Sequence, residues 1–88
     1  MRRIAAHYIY WKELLPIHYI ELDENRQLIG VFPLKEEIAG TEFWDGIVCP
    51  VPVDYKEEKF TSLDALIESG IVENVEIGSH VFLYRFSQ

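Results

Sequence analysis

The chain is 88 residues long, with 15 acidic against eight basic side chains, a net charge of −7 with neutral histidines, and 49% hydrophobic residues. A chain of this length builds one domain around one core, and its apolar content is globular, not that of a disordered segment. The negative charge argues against nucleic acid and membrane surfaces as partners. No apolar run approaches the roughly 20 residues of a membrane helix and no signal core follows Met1, so a cytoplasmic protein is expected.

Arg3 to Trp11, RIAAHYIYW, is aromatic and branched without Gly or Pro, which predicts a strand. Lys12 to Pro16 is expected to break it, since proline disfavours the helical region for Leu15. His18–Leu22 and Leu28–Phe32 flank the polar connection DENRQ and read as a β-hairpin. Leu34 to Gly40 has the composition of one helical turn closed by a left-handed glycine.

Thr41 to Val48 returns to strand character, with Phe43 and Trp44 giving each face one large ring. Pro50 and Pro52 are expected to stop it, leaving Val51 to Asp54 as an edge or a connection. Thr61–Ser69, TSLDALIES, predicts a helix with Thr61 or Ser62 as its cap, Leu63, Leu66 and Ile67 on the buried face, and Gly70 as its stop. Ile71–Ile77 and His80–Phe86 then predict a terminal hairpin around Gly78-Ser79, its second strand central, with Phe82, Tyr84 and Phe86 on one face. The fold class that follows is mainly β, a small β-sandwich or partly open barrel of five or six strands with one short helix.

Chemistry is sparse. The lone thiol, Cys49, lies between Val48 and Pro50 with no cation beside it in sequence, and reads as buried and reduced. His7, His18 and His80 are scattered over strands without metal-ligand spacing, and the acidic pairs Asp23-Glu24, Glu36-Glu37 and Glu57-Glu58 read as solvated. No constellation joins nucleophile, base and charge stabiliser, so neither catalysis nor a cofactor is expected. The rings Tyr8, Tyr10, Trp11, Tyr19, Phe43, Trp44, Phe82, Tyr84 and Phe86 exceed what a small core hides, and of these Tyr8, Tyr10, Trp11, Trp44, Phe82, Tyr84 and Phe86 form the candidate interaction surface.

MRRIAAHYIY, HYIELDENRQLIGVF and above all AGTEFWDGIVCP resemble the N-terminal segment of the amidohydrolase superfamily, metal-dependent hydrolases whose accessory β-sandwich is assembled from segments before and after a catalytic barrel. Gly46, Ile47, Val48, Pro50 and Val53-Asp54 match the run-in to that barrel, and Val51 replaces its glycine. The positions of the family's His-x-His metal pair fall on Lys56 and Glu58, and an ammonium is no metal ligand near neutrality. Residues 1–54 thus resemble the accessory segment and residues 55–88 supply a helix and a terminal hairpin, all in one domain. The resemblance implies a non-catalytic, stand-alone interaction or assembly module, a homodimer or one with another protein partner. The alternative is a small-ligand module with a cleft between Trp11/Trp44 and the terminal aromatic strand.

Overall fold

Residues 1–87 are described by a computed structural model in which a single five-stranded mixed sheet, in the order β3-β2-β1-β4-β5, carries one short helix. β1 (Arg2–Trp11) and β2 (Glu13–Leu22) form one long hairpin that turns on Lys12 alone, at φ 67°. The break expected over Lys12–Pro16 is therefore a single residue, and β2 runs straight through Pro16. The reason is positional: β3 (Leu28–Pro33) reaches β2 only as far as His18, so Glu13–Ile17 has β1 as its one strand neighbour and proline is tolerated there. The β2–β3 hairpin forms where the sequence places it. Asp23 holds its turn, its Oδ1 accepting from the Asn25 and Gln27 N–H groups at 2.8 and 2.9 Å.

After Pro33 the chain crosses β2 and β1 to lay β4 (Thr41–Pro52) parallel to β1. Residues 34–40 make this crossing without the helical turn expected of them, because a coil would shorten a span that must pass two strands. The Leu34 N–H donates to the Ile17 carbonyl at 3.0 Å, and Gly40 turns into β4 at φ 79°.

β4 does not stop at Pro50. It pairs with β1 only up to Val48, and with β5 (Val81–Phe86) from Ile47 to Pro52. The Val53 N–H donates to the His80 carbonyl at 3.0 Å. By alternation along an antiparallel ladder, the odd-numbered donors of this stretch face β5 and the two prolines turn their missing donors away from it. Val51, expected at an edge, is fully buried. β5, expected to be central, is an edge strand.

The helix, α1 (Leu63–Glu68), is capped by Ser62, whose Oγ accepts from the Ala65 N–H at 3.1 Å, and ends before left-handed Gly70. Leu66 is its buried residue, with Leu63 and Ile67 half-buried. Ile71–Asn74 is a 3-10 turn and not a hairpin strand. Val72 within it and Val75 just after it are three apart, the 3-10 repeat, and both are buried.

The main apolar cluster gathers Ile4, Ile9, Ile20, Leu28, Val48 and Val81; a second, of Cys49, Val51, Leu66 and Val72, lies where α1 and the 3-10 turn cover the sheet. The outer strands meet at one corner, where Leu28 exchanges bonds with Gly78 and Ser79 and the Val81 N–H donates to the Arg26 carbonyl at 3.0 Å. The sheet thus curls into a partly open barrel, not two stacked sheets.

A bulge adjusts the centre of the sheet: the register moves from Ala6↔Trp44 to Tyr8↔Ile47, leaving Asp45 and Gly46 opposite His7. Gly46 has φ 90°, and any Cβ there would strike the Phe86 carbonyl oxygen. Gly46→Ala is expected to destabilise the fold by about 3 kcal/mol or more, from the backbone clash together with left-handed strain. Gly40→Ala, with open space around it, is expected to lose only about 1–2 kcal/mol. Denaturant titration of both variants measures the contrast.

Candidate functional site

The seven rings of the candidate surface are all half-buried, and all but Tyr8 pack on one or other of the two clusters. Trp11 and Trp44 pack on the main one. The Trp11 indole donates to the Val75 carbonyl at 2.9 Å, tying β1 to the chain before β5. Arg2 lies 5.7 Å from the Trp44 ring centroid while its guanidinium grips Glu42, whose carboxyl is held below its ordinary range chiefly by that hydrogen bond.

Tyr10, Phe82, Tyr84 and Phe86 pack on the second cluster. Tyr84 stacks on Phe86 at 4.9 Å, and its hydroxyl accepts from the Phe60 N–H at 2.8 Å. Tyr8 stays within the ladder, opposite Pro16 on β2 and Ile47 on β4. The space between Trp44 and Phe82, where a ligand cleft was expected, is about 230 Å³, and Trp11 does not line it. Small-molecule sites commonly run from about 300 Å³ upward.

Part of the exposed apolar surface lies on a row that crosses four strands, and Leu14, Tyr55 and Ile77 are exposed away from it. Phe32, Tyr19, Ala5 and Phe43 are successive register partners and so share one face. Phe32 and Tyr19 are in contact at 5.4 Å, and His7 sets its ring edge-on to Phe43 at 5.1 Å. Ala5 is buried, because the 34–40 crossing passes over this face. Beside the crossing runs a groove of about 560 Å³ lined by Ala5, Leu34, Glu37, Ile38, Thr41 and Phe43.

Ile17 is the exceptional member of this region. It is 60% exposed and sits at φ 52°, a left-handed conformation that branched side chains strongly disfavour. Its carbonyl takes the Leu34 N–H, so the kink on β2 is what anchors the start of the crossing. Phe43 and Phe32 are 56% and 39% exposed. The sequence signal for Phe43 was its neighbour Trp44: consecutive rings on a strand cannot both face the core. For Ile17 no local signal existed, because its exposure depends on where β3 ends.

Among the described residues no three His, Cys, Asp or Glu side chains converge. The His18 Nδ1 lies 2.8 Å from the Pro16 carbonyl, which fixes the proton on that nitrogen. Burial pushes the Cys49 thiol up from 9.0 to about 12. No protein-family model, curated protein or solved structure matches the chain.

Two outcomes are expected. Ile17→Gly removes left-handed strain while losing little packing, and raises stability by about 1 kcal/mol in denaturant titration. Cys49 resists alkylation in the native state at pH 8 and reacts on unfolding. Because its thiol ionises first in the unfolded chain, stability declines as pH rises from about 9 to about 12, and Cys49→Val abolishes that part of the slope.

Proposed function

We propose that this chain is a non-catalytic protein-interaction module, related to the accessory sandwich domain of amidohydrolases, and that it self-associates through the face bearing Ile17, Phe32 and Phe43. The carrying observation is Ile17, an exposed branched residue held in a strained conformation. Strain of this kind costs about 1–3 kcal/mol and is concentrated where a fold meets its ligands or partners. Glycine or asparagine would satisfy the kink without it. Ile17 offers apolar area instead, two residues along β2 from Tyr19 of the aromatic row.

The family half of this reading rests on the sequence resemblance alone. β1 to β4 come from the segment resembling the enzymes' N-terminal part, and β5, from near the chain end, completes the sheet beside β4. Residues 53–80, which include the positions of the family's metal pair, form a short helical connection between these neighbouring strands. Lys56 and Glu58 are both exposed on it.

Light scattering coupled to size-exclusion chromatography over a concentration series tests the association. The mass is expected to move towards that of a dimer as concentration rises, and to do so more readily in added salt, which screens the repulsion between two chains of net charge −7. Phe43→Glu combined with Ile17→Lys is expected to keep the protein monomeric with its fold intact by circular dichroism. A monomer at every concentration, or a dimer untouched by both changes, refutes the reading.

A further inference from the structure

The outer edge of β5 has a character opposite to that of the protein as a whole. Since His80 and the even-numbered residues of β5 bond towards β4, the N–H and C=O groups of Val81, Leu83 and Arg85 point outward. Val81 is already engaged by the Arg26 carbonyl, which among the described residues leaves Leu83 and Arg85 as the open part of the edge. Phe82, Leu83, Tyr84 and Arg85, four consecutive residues, line a groove of about 280 Å³, so the groove runs along the edge itself and not over one face. Its far wall is Lys56, Glu58 and Lys59.

The placement of charge is selective. Of the eight cationic side chains, Arg2, Arg3 and Lys12 are in ion pairs with Glu42, Glu21 and Glu76. Among the described residues Arg26, Lys35, Lys56, Lys59 and Arg85 are in none, and three of these five line this one groove against a single carboxylate, Glu58. A concentration of unpaired cations beside open backbone groups, on a protein of net charge −7, is complementary to an extended segment bearing carboxylates.

We propose that the free edge of β5 binds an extended acidic peptide segment by strand addition, with Leu83 and Arg85 making the backbone bonds and Lys56, Lys59 and Arg85 reading the charge. A second copy of β5 fits poorly. Two-fold pairing sets two cationic grooves face to face, and like charges opposed on neighbouring strands are destabilising.

The probe is a fluorescein-labelled hexapeptide alternating glutamate and valine, with a lysine-for-glutamate counterpart, titrated by anisotropy at low protein concentration. The acidic peptide is expected to bind at least about tenfold more tightly than the basic one, and to weaken with salt. The triple variant Lys56→Glu, Lys59→Glu, Arg85→Glu should invert the preference while leaving the mass in solution as it is for the parent protein. In amide NMR, Leu83 and Arg85 are expected to shift and to gain exchange protection on peptide addition. Equal binding of both peptides, indifference to charge reversal, or peptide-induced shifts centred on Ile17 and Phe43 overturn the proposal. So do Leu83 and Arg85 shifts that follow protein concentration alone, which would mean a second copy occupies the edge.

Discussion

The architecture depends on β4 serving two different ladders at once. On one side it runs parallel to β1, on the other antiparallel to β5, and the two ladders overlap only at Ile47 and Val48. Parallel and antiparallel pairing space their hydrogen bonds differently, so a strand caught between them needs somewhere to take up the mismatch. Gly46 is that place. It adds one residue against β1, adopts a conformation other side chains resist, and brings its backbone so close to the Phe86 carbonyl that no side chain fits. The prolines then act on one ladder only: β1–β4 pairing ends at Val48, while β4–β5 pairing continues to Pro52.

This arrangement determines what is left on the surface. Placing β4 beside β1 forces the chain to cross two strands after β3, and the crossing starts from the kink at Ile17. It buries Ala5 but leaves Phe32 and Phe43 uncovered on either side. Fully burying one such side chain is worth about 1.5–3 kcal/mol, and these are already partly buried, so three of them on each of two copies return several kcal/mol. That exceeds the strain at Ile17 and is of the same order as the lower estimates for lost translational and rotational freedom on association. The proposed self-association through this face is accordingly expected to be weak and sensitive to ionic strength.

Elements whose causes are local were legible in the sequence. Asp23 with its polar turn announced the β2–β3 hairpin, and Ser62, the apolar spacing of Leu63, Leu66 and Ile67, and Gly70 announced α1. The alternation in HVFLYRF correctly separated Val81 and Leu83 from Phe82, Tyr84 and Phe86. What local pattern could not convey was neighbourhood. Pro16, Pro50 and Pro52 read as strand breaks, yet each lies within a strand where an adjoining ladder has ended. The 71–77 segment alternates well enough for a strand, but Val72 and Val75 satisfy a 3-10 turn equally, and that turn lets them reach different clusters. The aromatic rings chosen as a surface were mostly claimed by a second cluster under α1, and the exposed face passed to residues selected by topology.

The two open features of the sheet also explain each other's chemistry. Edge strands invite unwanted pairing, and folds restrain them by covering the edge or placing charge on it. At the β3 edge the first method is used, with Leu28 bonded to Gly78 and Ser79. Among the described residues β5 is covered only at Val81, and its remaining edge relies on Arg85, Lys56 and Lys59. Cations that repel an identical strand attract an acidic one, so the charge that protects β5 from a second copy also defines which strand it accepts. The proposed self-association uses the uncharged row of Phe32, Tyr19 and Phe43, which shares no residue with the proposed peptide edge.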